Sequence, residues 1–148
     1  MRFIPIFVLA FLLLSCGKDQ FTTKPQLKYK STSATTVSGS QILTIRLDLT
    51  DKEGDFTPLL GMKKTVSGCP TSDFIDSASF TIPDEFIKTK GLHGEVNVIL
   101  DKIKRGSNSC FLPGGATRPD TTIFSFWTRD KAGNVSDTTR TEKIIILN

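Results

Sequence analysis

The sequence predicts an all-β protein that folds as one antiparallel β-sandwich of about seven strands. Short apolar stretches alternate with polar residues at the two-residue period of a strand, and no segment keeps a helical period over three turns. Turn-forming residues separate these stretches, which is typical of a sandwich whose neighbouring strands run in opposite directions.

The chain up to Pro83 contains four predicted strands. Residues 41–49 form the clearest one, because Leu43, Ile45 and Leu47 alternate with polar residues. A weaker strand at 27–31 precedes it, and the small polar stretch STSATTVSGS between them is predicted to be a loop or a weak strand edge. Strands at 59–66 and 78–82 follow, and Pro83 ends the second of these.

The chain after Pro83 contains three predicted strands, at 95–103, 122–129 and 140–147. In the middle one, Phe124 and Phe126 fall on one face, while Ile123 and Trp127 fall on the other. The segment PDEFIK at 83–88 predicts a single helical turn, because Pro and Asp are common where helices begin.

The amino terminus has the features of an export signal. The apolar run 3–14 is too short to span a bilayer, which needs about 20 residues, and it has the length of a signal-peptide core. The next residues, LLSC, resemble the lipobox of bacterial lipoproteins. The resemblance implies cleavage after residue 15, lipidation of Cys16, and a short tether at 16–25 before the folded domain at 26–148.

The same resemblance implies an exported protein that is held at a bacterial membrane by its lipid. Gly17 follows the cysteine where an Asp would favour retention in the inner membrane, so we expect the outer membrane. The net charge is +4, and no basic run is interleaved with aromatic residues, which argues against a nucleic-acid partner.

One turn motif occurs twice, as DKEGD at 51–55 and as DKAGN at 130–134. Its first Asp accepts hydrogen bonds from nearby backbone N–H groups, and its Gly tolerates a positive φ. We therefore predict two tight turns, with positive φ at Gly54 and Gly133.

The closing segment, FSFWTRDKAGNVSDTTRTEKIIIL, resembles the last hairpin of bacterial immunoglobulin-like and fibronectin-III-like domains. Such domains often end in an aromatic strand, an Asp-x-Ala-Gly-Asn-x-Ser turn and an aliphatic strand. The residues that match this turn are Asp130, Ala132, Gly133, Asn134 and Ser136. The resemblance implies an immunoglobulin-like sandwich and no particular function.

Chain direction alternates between the two ends of such a sandwich. The DKEGD and DKAGN turns are therefore expected at one end, and the loops containing Cys69 and Cys110 at the other. An exported protein meets oxidising conditions, so we predict a disulfide between Cys69 and Cys110.

The shared turn end is a candidate calcium site, because Ca²⁺ takes oxygen ligands from carboxylates, amides and carbonyls. The alternative is a set of solvated turn residues with no metal. The candidate ligands are Asp51, Glu53, Asp55, Asp130, Asn134 and Asp137.

No catalytic motif such as G-x-S-x-G, C-x-x-C or a P-loop is present, so the chain is predicted to be neither an enzyme nor dependent on another cofactor. The single histidine, His93, is predicted to lie in a loop. Phe111, Trp127 and Tyr29 are candidates for a sugar-binding platform, although a strand tryptophan more often packs into a core.

The sequence therefore predicts a membrane-anchored lipoprotein with a binding or structural role at the bacterial cell envelope. Its expected partner is an envelope protein or a glycan. One alternative is a carbohydrate-binding accessory module, and a second is an enzyme or enzyme inhibitor without a recognisable site.

Overall fold

A computed structural model describes residues 23–67, 76–83, 90–101, 103 and 119–147. Within these ranges the chain forms nine strands and no helix. The strands are β1 (Gln26–Thr32), β2 (Thr36–Ser38), β3 (Leu43–Asp51), β4 (Phe56–Val66), β5 (Asp76–Thr81), β6 (Leu92–Leu100), β7 (Asp120–Asp130), β8 (Thr139–Arg140) and β9 (Ile144–Leu147).

The strands form two sheets. One has the order β1-β3-β6, and the other has the order β2-β9-β7-β4-β5, with β8 also paired to β7. Every pairing is antiparallel except that of β2 with β9. The protein is thus an all-β, immunoglobulin-like sandwich, which confirms the predicted fold class.

The core lies between the sheets and follows the predicted alternation. Leu43, Ile45, Leu47 and Leu49 of β3 have no exposed surface, and Phe126 of β7 is equally buried. Burying a side chain of this size contributes roughly 1.5–3 kcal/mol. The apolar period of β3 and β7 therefore fixes which face of each sheet points inward.

Strand β2 lies in the stretch predicted to be a loop or a weak strand edge. The chain passes from one sheet to the other just before it: the Ser33 N–H donates to the Thr44 carbonyl at 2.9 Å, and the Ile145 N–H to the Thr35 carbonyl at 2.8 Å. Val37 then pairs with Ile146 and is only 2% exposed. This strand forms by pairing with a parallel partner more than 100 residues away in sequence, so the local sequence pattern does not predict it.

The predicted last strand is interrupted, and forms β8 and β9. The Thr141 hydroxyl accepts a hydrogen bond from the Phe124 N–H at 3.1 Å, while the Thr141 N–H donates to the Phe124 carbonyl at 2.9 Å. A side-chain oxygen thus replaces a backbone acceptor at this point, and the ladder breaks.

Several predictions fall outside the described residues. These are the signal segment with Cys16, most of the helical turn predicted at 83–88, and the paired cysteines Cys69 and Cys110. In the part of the chain that is described, there is no helix long and apolar enough to cross a membrane.

Candidate functional site

The two repeated turns meet at one end of the sandwich. The Lys131 N–H in the second turn donates to the Asp55 carbonyl in the first at 2.8 Å. Gly54 has φ 64° and Gly133 has φ 92°, both in the region that favours glycine. The predicted shared end and the predicted glycine conformations are both confirmed.

In the second turn every carboxylate oxygen of the first Asp has a partner. Asp130 is 1% exposed. Its Oδ1 accepts from the Asn134 N–H at 2.7 Å, and its Oδ2 accepts from the Asn134 side-chain amide at 2.6 Å. Asn134 therefore satisfies both oxygens of a buried carboxylate, as buried charge requires.

In the first turn only half of this arrangement is present. Asp51 has no exposed surface, and its Oδ2 accepts from the Asp55 N–H at 2.9 Å. Its Oδ1 is buried without a hydrogen-bond partner, and so is Oδ1 of Asp55. Asp55 occupies the position that Asn134 occupies in the second turn, but an ionised carboxylate has no proton to donate.

The six candidate calcium ligands do not form one cluster. Asp130 and Asn134 bond to each other, Glu53 is exposed, and Asp137 pairs with Lys24 at 2.6 Å. No group of three or more His, Cys, Asp or Glu residues that could hold a metal ion occurs in the described ranges. Of the six candidate ligands, Asp51 and Asp55 are the two that keep a buried carboxylate oxygen without a hydrogen-bond partner.

The outer face of the three-stranded sheet carries charges of both signs. The prediction that His93 lies in a loop is wrong. His93 belongs to β6, because its segment pairs with the end of β3. Its Nε2 lies 3.0 Å from Asp48 Oδ1. Lys30 and Glu95 lie 2.7 Å apart, and this hydrogen bond lowers the pKa of Glu95 and raises that of Lys30. Most charges here are paired.

The outer face of the six-stranded sheet is different and is centred on Trp127. Trp127 pairs with Gly61 across β7 and β4. A Cβ atom on Gly61 would stand 2.6 Å from Trp127 Nε1 and 2.7 Å from Cζ2, so the indole covers the place of the missing side chain. The half-buried ring thus rests on the glycine backbone and stays accessible from solvent.

Two shallow grooves of about 460 and 480 Å³ flank this indole, and Trp127 lines both. Three basic residues surround it: Lys63 and Arg140 line one groove, and Arg129 lines the other. Among the described residues, no carboxylate lines either groove. We call this surface the Trp127 face. It comprises Thr57, Leu59, Gly61, Lys63, Thr65, Ile123, Ser125, Trp127, Arg129 and Arg140.

The cations of the Trp127 face have no anionic partners in the part of the chain that the structure describes. Among the described residues, Lys63, Arg129 and Arg140 take part in no ion pair, in contrast to Lys30 and Arg46 on the opposite sheet. Unpaired cations beside an accessible aromatic ring favour an anionic ligand that also has an apolar surface.

The predicted three-residue aromatic platform is not formed as expected. Tyr29 lies in the other sheet, packs against the core and donates its hydroxyl proton to Glu142 at 2.9 Å. Partial burial raises the pKa of Tyr29. Phe111 lies outside the described residues. The cations of the Trp127 face were not singled out from the sequence, although residues 61, 63, 127 and 129 fall on outward positions of strand alternation.

The chain matches no protein-family model and no curated protein. Among solved structures it is similar to a CARDB domain from Pyrococcus furiosus crystallised in complex with di-metal ions, with 8% identity, a TM-score of 0.35, and coverage of 84% of this chain and 96% of that one. It is also similar to a mutant of the SrpA adhesin from Streptococcus sanguinis, with 16% identity, a TM-score of 0.37, and coverage of 85% and 57%. Likeness at this level carries no argument about a ligand, and the fold assignment rests on strand order and pairing.

Proposed function

We propose that this protein is an exported, lipid-anchored binding protein of the bacterial cell envelope, and that its sandwich domain binds an acidic glycan on the Trp127 face. The LLSC motif before Cys16 supports the anchor, with the outer membrane as its location. The role is binding, with no reaction step.

The observation that carries the glycan assignment is the setting of Trp127. A sugar ring presents a face of C–H groups that packs against an aromatic ring, and the half-buried indole covers Gly61 and lines two grooves open to solvent. Lys63, Arg129 and Arg140 then supply charge-assisted hydrogen bonds for uronate or sulfate groups. A neutral sugar would leave these cations unused.

The glycan assignment is tested by binding of the purified full chain, in detergent, to alginate and heparin as acidic probes and dextran as a neutral one. We expect binding to an acidic probe that weakens at least tenfold in Trp127→Ala and in Lys63→Gln, and that falls with added salt. Lys30→Gln is the matched control, because it removes one cation from the opposite sheet.

Two results contradict the glycan assignment. If Trp127→Ala and Lys30→Gln both bind the acidic probe with wild-type affinity, any glycan site lies outside the Trp127 face. Binding of an envelope protein on the same face, without binding of any glycan probe, leaves a binding protein with a different ligand class.

The anchor is tested separately in cells. Cys16→Ser should abolish incorporation of labelled fatty acid and move the protein from the membrane fraction to the soluble fraction. A wild-type protein that takes up no fatty acid, together with a variant that stays membrane-bound, would show that no lipid is attached at Cys16.

A further inference from the structure

The two turns at the end of the sandwich, 51–55 and 130–134, have similar sequences, so their hydrogen bonds can be compared directly. In each, an Asp carboxylate accepts a hydrogen bond from the backbone N–H four residues later, at 2.9 Å for Asp51 and 2.7 Å for Asp130. In each, a glycine with positive φ precedes the donor residue. The two turns therefore share this hydrogen bond to the first Asp and the left-handed glycine, although the backbone bonds of Asp130 N–H to the Asn134 carbonyl at 3.0 Å and of Gly133 N–H to the Asp130 carbonyl at 3.2 Å belong to the second turn. They also differ in the side chain at the fifth position, which is Asp55 in one turn and Asn134 in the other.

That difference changes the charge balance of the turn. The Asn134 amide donates a proton to the second oxygen of Asp130 at 2.6 Å. Asp55 has a carboxylate at the sequence position of the Asn134 amide, its backbone N–H lies 2.9 Å from Asp51 Oδ2, and each of these two Asp residues keeps one buried carboxylate oxygen without a hydrogen-bond partner. Asp51 has no exposed surface at all, so water does not compensate its free oxygen from outside.

No described side chain neutralises the carboxylates of Asp51 and Asp55. Neither Asp51 nor Asp55 forms an ion pair with a Lys or Arg in the described part of the chain. Lys52, which follows Asp51 directly, is exposed. Buried carboxylate oxygens without a donor call for a cation.

We propose that Asp51 and Asp55 bind a divalent cation, with Ca²⁺ as the best fit. Carboxylate oxygens are hard ligands, and Ca²⁺ completes its shell of about six to eight oxygens with backbone carbonyls and water, so two carboxylates are enough to begin a site. Mg²⁺ fits less well, because it demands strict octahedral geometry.

The cation also has a structural consequence. The carbonyl of Asp55 accepts the Lys131 N–H of the second turn, so the metal-binding residue is tied to the end of β7. Asp51 belongs to β3 in the other sheet. The bound cation therefore holds together the ends of both sheets.

Thermal unfolding of the purified full chain in millimolar Ca²⁺ and then in excess chelator tests this proposal. We expect Ca²⁺ to raise the melting temperature by roughly 5 °C or more, with a smaller effect from Mg²⁺. Calorimetric titration should give one Ca²⁺ per chain.

Exchanging the fifth residue between the two turns provides matched variants. Asp55→Asn gives the first turn the amide of the second, so this variant should lose its response to Ca²⁺ and, in chelator, melt at or above the wild-type temperature. Asn134→Asp should do the reverse: it should lower the melting temperature in chelator and add a response to Ca²⁺.

Superimposable wild-type curves with Ca²⁺ and with chelator would overturn the proposal. A response to Ca²⁺ that persists in Asp55→Asn would also overturn it, because the ion would then bind elsewhere. Stabilisation of the wild type by mild acid alone would show that the two carboxylates share a proton and not a metal ion.

Discussion

At the scale of single residues, the two positive-φ glycines of the repeated turns differ in whether a substitution would change only the backbone conformational energy or also the packing. Gly54 is buried, whereas Gly133 is exposed and has no heavy atom within 4 Å of the position of a Cβ. A substitution at Gly133 therefore changes backbone conformational energy with no steric clash. It is the cleaner site for measuring what the turn conformation costs a non-glycine residue.

We predict that Gly133→Ala lowers the free energy of unfolding by about 1 kcal/mol, because alanine tolerates a φ of 92° poorly. Chemical denaturation measures the loss. Gly133→Asn is the control, since asparagine enters this region more readily and should cost less. Equal stability of the alanine variant and the wild type would mean that the turn does not hold this conformation in solution.

At the scale of elements, an ion pair connects strands that are not neighbours. Lys30 of β1 and Glu95 of β6 lie on either side of β3 and bond at 2.7 Å, with Arg46 of β3 4.0 Å from the same carboxylate. The pair therefore lies across the whole three-stranded sheet on its outer face. Its side chains are partly exposed, so it depends on salt and pH more than a buried pair does.

The pH dependence of this pair follows from the direction of each shift. The hydrogen bond from Lys30 lowers the pKa of Glu95 below 4.5, so its stabilisation is present above that value and disappears as pH falls through the folded-state pKa. The pKa of Lys30 is raised above 10.5, so its contribution is present below that value and disappears in stronger alkali.

We predict that Glu95→Gln is slightly less stable than the wild type at neutral pH and low salt. The difference should vanish in strong acid, where Glu95 is protonated, and should shrink in high salt. Melting temperatures of both proteins across pH measure this. A difference that persists unchanged in acid would assign the effect to packing instead of charge.

At the scale of the whole molecule, chain direction determines what the two ends contain. β3 and β7 both run toward the repeated turns, since Asp51 and Asp130 are their last residues. The end of β4 pairs Val66 with Thr122 near the start of β7, and the end of β6 pairs Leu100 with Leu43 at the start of β3. The connections that contain Cys69 and Cys110 therefore leave the described strands at the opposite end.

We predict a disulfide between Cys69 and Cys110 in the exported protein. Closing a loop of about 40 residues is worth on the order of 4 kcal/mol by chain entropy, and often less in practice. Thiol titration of the denatured protein without reductant, compared with a reduced sample, measures it. Reactive Cys69 and Cys110 in the unreduced sample would exclude the bridge.

Much of the fold was predictable because it depends on the alternation of apolar and polar residues within single segments and on local turn residues. The alternation at Leu43, Ile45 and Leu47 is a property of one segment, and it fixes the buried face of β3 whatever lies opposite. The turn residues at Gly54 and Gly133 likewise act within a few residues. His93 was misplaced because its strand begins at Leu92 through pairing with Asp51, a contact that local composition does not reveal.

The candidate sites were predictable only in part. Asp51 and Asp55 are identifiable from the repeated turn, but the lack of a partner for one oxygen of each depends on burial, which only the packed end of the sandwich creates. The outward positions of Lys63 and Trp127 follow from alternation. The lack of carboxylates among the described residues that line the grooves around them depends on which strands lie side by side.

The sequence by itself determined the fold class, the inward faces of the long strands and the conformation of the two turns, because each depends on forces between residues close together in the chain. The tertiary structure alone decided the strand at Thr36–Ser38, the break between β8 and β9, and the indole lying on Gly61. Each of these needs a partner distant in sequence. Short segments gain too little from their own propensity to be recognised until that partner supplies hydrogen bonds and burial.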